Sequence, residues 1–210
     1  YIGILITYLA LLVFIGYRAS KSIKNSEDWS VAGRTLGVIP SAAAYFTTVL
    51  SAVSFIGYMG YYYKFGWGGW WNWAGTLIFT VLLAASFAAK LRKFGGVTIS
   101  DFLDERYGKV HGGLAAVLIL FSTVVFTMTQ LIASASIIKT ITGISTQWSA
   151  IIVGCVFILY TIIGGMVSVA WTSVLTTVLI LFGTYSLLFS ILKATGGIVN
   201  LQVSLYNRDK

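Results

Sequence analysis

The sequence predicts an all-α protein that crosses a membrane several times. Three observations lead there. Hydrophobic residues fill 58% of the 210 positions and charged residues only 10%, against about a quarter in an ordinary soluble domain; mean hydropathy is +0.89. The apolar residues gather in continuous runs, without the alternation of a membrane-barrel strand. All six acids (Glu27, Asp28, Asp101, Asp104, Glu105 and Asp209) lie between or beyond those runs. Hydrocarbon stands where a soluble protein would need a charged shell.

A helix needs about 20 mainly apolar residues to cross a hydrocarbon core roughly 30 Å thick. Six segments qualify: 1–17, 38–63, 73–90, 112–138, 148–164 and 169–193, with a polar tail over 198–210. Tyr1 opens inside an apolar stretch with no charged leader and no cleavage site. The first segment is therefore expected to be clipped rather than a signal peptide. Pro40 begins the second segment, where a missing N–H costs nothing.

The net charge of +8 does not imply nucleic acid, because the basic residues flank apolar runs, which is a topology pattern. Arg18, Lys21, Lys24, Arg34, Lys90, Arg92, Lys93, Arg106 and Lys109 fall on one side; Lys64, Lys139, Lys193, Arg208 and Lys210 fall on the other. The positive-inside rule places the larger set in the cytoplasm, with the N-terminus and the tail outside. Tyr61, Tyr62, Tyr63, Trp67, Trp70, Trp71 and Trp73 crowd one outer loop. That is the composition of an interfacial belt, and some of these rings could also roof a cavity.

The linker Thr98–Gly108 reads as a short helix, with Ser100 as its cap, Asp101, Asp104 and Glu105 near its positive end and Gly108 as its stop. Capping and pairing with Arg106 explain these acids better than metal ligation does. Cys155 is alone, so no intrachain disulfide forms.

Hydroxyls and one amide mark the helix faces that turn away from lipid. Thr47, Ser51 and Ser54 share a face, followed by Gly57 and Gly60. Thr123, Thr127, Gln130 and Ser134 form a second stripe, and Ser173, Thr177 and Thr184 a looser third. Small and hydroxylated residues are ordinary glue between membrane helices, and for any single one packing is the commoner role. Gln130 differs, since an amide at that depth needs partners. A weakly helical Ala/Ser/Thr/Gly run can also break, and its freed carbonyls then suit a cation such as Na⁺. No Asp, Glu or His lies within a segment, and His111 sits at an edge, so proton coupling is disfavoured. No nucleophile, base and acid set is present, so an enzyme is not expected.

Three stretches in register resemble the sodium/solute symporter family. They are Ala32-Gly33-Arg34 with Leu36-Gly37 and then Leu50–Gly57; Thr98–Gly108, like the family's T-x-x-[DE]-F-x-x-x-R-[YF]; and Tyr160 with Gly164-Gly165 and Val169-Ala170-Trp171-Thr172. The resemblance implies a LeuT-type fold of two five-helix inverted repeats with the site at the midplane. Segment 1–17 would be a leading helix, 38–193 the first repeat, and 194–210 an outer tail or loop, the second repeat being absent from this chain. It implies multi-pass residence in the cell membrane and symport of a small organic solute with Na⁺ by alternating access.

Carried over by position, the first repeat helix is the broken one, with sodium at Thr47, Leu50 and Ser51. Substrate positions would be Val53, Ser54, Trp73, Thr76 and Gln130, and the outer gate Tyr58 and Asn72. Departures accompany the match. Ser173 stands where the family often has Asp, and Thr176 where it has Gln. Val49, Val53 and Ser54 carry neither the proline-carrier nor the sugar-carrier residues. A sensor with a symporter-like membrane domain, or a membrane scaffold, are the alternative readings.

Overall fold

A computed structural model of the chain describes residues 2–208, other than the side chains of Ala52, Ile56, Trp67, Leu205, Asn207 and Arg208. The ring of Trp67 and the charges of Arg208, Asp209 and Lys210 thus lie outside the described residues. Those residues are helical nearly throughout, with no strand among them.

Helix α1 spans Ile2–Ser20 and is followed by the short α2, Ser26–Val31. Asn25 caps α2, its Oδ1 accepting from Asp28 N at 2.8 Å. A 3-10 turn, Ala32–Arg34, then carries three successive residues at positive φ. The second predicted segment is two helices, α3 (Val38–Val49) and α4 (Ala52–Phe65), turned by 53° across Leu50 and Ser51. A second 3-10 turn, Gly66–Gly69, leads into α5, Trp70–Phe94. Then come α6 (Ile99–Tyr107), α7 (Lys109–Thr142), α8 (Thr146–Thr195) and α9 (Ile198–Arg208), the last forming where a polar tail was expected.

Two local expectations change. The cap of α6 is Thr98, not Ser100. Thr98 Oγ1 accepts from Asp101 N at 3.2 Å, while Asp101 Oδ2 accepts from Thr98 N at 2.8 Å, a reciprocal box that leaves Ser100 inside the first turn. Those bonds, led by the Thr98 amide, hold the Asp101 carboxyl below the usual carboxylate range. Among the described residues Arg106 has no acidic partner; its guanidinium lies 5.5 Å from the Tyr107 ring centre.

Four helices (α1, α5, α7 and α8) are long and apolar enough to cross a membrane, or five spans if the bent α3–α4 pair is one. The segments expected at 148–164 and 169–193 run together as α8. A straight helix of 50 residues would be about 75 Å long, more than twice a hydrocarbon core. It is not straight. Gly165, at φ 48° and ψ −148°, interrupts it, a backbone conformation that a Cβ would forbid.

The core sits where α1, α3, α7 and α8 meet, around Leu12, Ala43, Ala135, Ile138, Val153, Tyr160 and Ala170. Small residues allow the approach. A Cβ on Gly16 of α1 would lie 3.0 Å from that of Tyr160. By contrast, the apolar faces of α5 and α7 point outward, as at Phe79, Leu83, Val117 and Phe121. Such faces suit hydrocarbon or further helices.

Candidate functional site

The site is organised by the break between α3 and α4. α3 ends at Val49; the Phe46 carbonyl still takes the Leu50 amide at 2.9 Å, but the carbonyls after it have no amide one turn on within the helix. Leu50 (φ −88°, ψ 71°) leaves the helical region, and Ser51 (φ −88°, ψ 170°) is extended and caps α4. Ser and Thr favour this position because their hydroxyls compete with the helical backbone and serve freed amides.

Gln130 reaches this break from α7. Its Nε2 donates to Ser51 Oγ at 3.0 Å, and its Oε1 accepts from Val53 N at 3.4 Å. The donating Val53 N–H and the accepting Ser51 hydroxyl fix which way the amide points. Ser51 and Ser54 hydroxyls are 3.1 Å apart, Ser54 N donates to Ser51 Oγ at 3.3 Å, and Ser54 Oγ donates to the Val49 carbonyl at 2.8 Å. Since the Ser54 proton goes to Val49, Ser51 must donate to Ser54. A directed chain therefore runs Gln130, Ser51, Ser54, Val49 carbonyl, across the gap between the helices. Each member polarises the next.

Two consequences follow for the expected residues. The Ser51 hydroxyl is committed on three sides, to Gln130, Ser54 Oγ and Ser54 N. The oxygens near it that remain for a ligand are main-chain carbonyls. Thr47 lies a turn before the break, with its hydroxyl 3.0 Å from both the Ala43 carbonyl and Ser173 Oγ of α8. Its single proton has the Ala43 carbonyl and Ser173 Oγ as alternative acceptors.

Thr47 and Ser173 also border a cavity of about 420 Å³ enclosed by α1, α3, α7 and α8. Tyr8, Thr48, Ser134, Thr172 and Thr176 bring further hydroxyls, and no charged side chain lines it. Tyr8 OH and Thr176 Oγ1 are 3.0 Å apart across it. Among the described residues no cluster of three His, Cys, Asp or Glu could hold a metal. Any ion held here would be met by neutral oxygens.

The other expected positions stand apart from the break. Tyr58 and Trp73 pack together, ring centres 5.1 Å apart and tilted by 49°, with Tyr62 stacked beyond. Tyr58 lies seven residues past Ser51, about 10 Å along α4. Asn72 and Thr76 are exposed on α5 and bonded to each other, Thr76 Oγ1 donating to the Asn72 carbonyl at 2.9 Å. Of the second stripe, Gln130 and Ser134 are half-buried while Thr123 and Thr127 are exposed. Thr127 only back-bonds to the Thr123 carbonyl.

Trp29, in α2, has a role that the sequence did not announce. Its indole N–H donates to the Ile162 carbonyl at 3.1 Å, just before the interruption of α8. A Cβ on Gly165 would meet the Trp29 carbonyl at 2.6 Å. A single tryptophan in an otherwise polar linker was the available signal.

Over 178 residues the chain is 26% identical to the protein called uncharacterized symporter YwcA of Bacillus subtilis (strain 168). The match takes in 84% of this chain, and the chain spans about a third (34%) of that relative's length. No solved structure matches significantly. The pattern of the sodium:solute symporter family matches residues 29–208, and the chain belongs to that family of membrane transporters.

Proposed function

We propose that the chain forms the first half of a sodium-coupled symporter that moves a small organic solute by alternating access. The observation that carries this reading is the break at Leu50 and Ser51, held open by Gln130. Main-chain oxygens freed at membrane depth need a partner, and a monovalent cation meets them without a full countercharge. Thr47 and Leu50 would offer their carbonyls to Na⁺, and Ser51 would keep them free by diverting its hydroxyl to the cap. Val53, Ser54 and Gln130 would face the solute, with Trp73 and Thr76 as further solute contacts on α5 and Tyr58 and Asn72 as the outer gate.

The interruption at Gly165 supports reading α8 as two spans. Together with α1, the α3–α4 pair, α5 and α7 this makes six, a leading helix and one five-helix repeat of a LeuT-type fold. A second repeat beyond these 210 residues would complete the site, in a multi-pass protein of the cell membrane with its N-terminus outside. Coupling then needs only that Na⁺ and solute both favour the same bent arrangement, since ligands shift an equilibrium by differential affinity.

The test is uptake of labelled amino acids, sugars and carboxylates by the full-length protein in proteoliposomes, with and without an inward sodium gradient. Sodium-stimulated uptake of one class is expected. Equal uptake in both conditions sinks sodium coupling, and no uptake of any class favours a sensor or scaffold role.

A further inference from the structure

We propose that the linker before α3 and the basic end of α5 together form a site for a net-anionic phosphate group. A cavity of about 320 Å³ lies there, bordered by Val31, Arg34, Leu36, Ser41, Arg92 and Gly96. Two guanidinium groups share it. Arg34 donates through Nε to Glu27 at 3.2 Å and through Nη2 to the Gly95 carbonyl, which leaves its Nη1 donors. Arg92 has no acidic partner among the described residues. Glu27 offsets one of the two charges, so the cavity keeps an excess positive charge.

The backbone holds Arg34 in this place against its own preference. Ala32, Gly33 and Arg34 stand at φ 54°, 56° and 56°, and such strain in residues with a Cβ persists where the surroundings over-determine it. Leu36, just before α3, and Ser41, in its first turn, border the same cavity, and no side chain caps that turn. Forked guanidinium donors beside a hydroxyl match phosphate oxygens, which bind such forks in pairs. The ligand could be a phospholipid headgroup or a soluble phosphate; the chemistry is shared. The inference does not depend on sodium coupling.

Two arms distinguish the sources, both on the full-length protein. Native mass spectrometry after release from nanodiscs of phosphatidylcholine and phosphatidylglycerol reads retained lipid. A thermal-shift titration with inorganic phosphate against chloride at equal ionic strength reads free phosphate. The wild type is expected to retain phosphatidylglycerol or to be stabilised by phosphate. Arg92→Gln should weaken whichever is seen by about tenfold, the scale of one lost charge-assisted pair. Lys93→Gln, which removes the same charge one residue away from the cavity lining, should leave it unchanged. Retained lipid assigns the headgroup, and a phosphate shift assigns the soluble ligand. Neither response in the wild type, or equal loss in both variants, overturns the site.

Discussion

Gln130 was legible as a site residue because an amide is the most polar group in any of the apolar runs and must find partners there. Its two bonds were not legible, since the partners are the cap and the first turn of α4, nearly eighty positions away. Replacing it by Leu leaves the Val53 amide and the Ser51 hydroxyl without their partner, at a cost of about 1–3 kcal/mol. Thermal denaturation of the full-length protein should report that loss, together with lost uptake. A bulky apolar residue at Ser54 removes the last link to the Val49 carbonyl. Uptake should vanish while expression persists; unchanged uptake would return that hydroxyl to packing. Outside the membrane segments, the Asp101 carboxyl is held low by the Thr98 bonds. A depressed carboxyl stabilises above its unfolded pKa and loses that contribution as pH falls through the lower folded value. The protection factors of the α6 amides, exchange rates divided into their intrinsic values at each pH, should therefore hold near neutrality and fall as the Asp101 carboxyl is protonated at acid pH. In Asp101→Asn that acid-dependent fall should be absent.

At the scale of elements, continuous apolar runs located the long helices, and the gap left between 148–164 and 169–193 contains Gly165, where α8 is interrupted. The α3–α4 break falls in a run of Ala, Ser, Thr and Gly whose weak helicity hinted at it, and the family resemblance pointed to the same helix. The interruption of α8 depends on one glycine among many. What singles out Gly165 is the Trp29 carbonyl at its side and the Trp29 indole on the Ile162 carbonyl, from a residue more than a hundred positions earlier. No local pattern encodes such a pairing. The box at Thr98 was missed by two residues because Ser100 and Thr98 are equally good caps by type, and only Asp101 reaching back decides between them. Gly165→Ala should be severe, since the left-handed backbone and the Trp29 carbonyl both exclude a methyl. Trp29→Phe removes one hydrogen bond and should cost only about 1 kcal/mol. Comparing the Tm of the two variants of the full-length protein checks the ranking.

Across the whole molecule, polar contacts concentrate where α1, α3, α7 and α8 meet, while α5 and much of α7 present apolar faces outward. On the proposed reading, these outward faces are where a second repeat would pack. The 210 residues alone should insert into a bilayer yet transport nothing, which uptake by the isolated piece would refute. Composition carries the membrane reading, whereas the proposed ion site rests on a few oxygens at one break. Binding of radiolabelled sodium to the purified full-length protein in excess potassium probes that break most directly, because it needs no knowledge of the solute. Saturable binding that potassium does not displace, and that Gln130→Leu weakens, is the predicted result. Binding no greater than that of a protein-free control would contradict sodium coupling at this site.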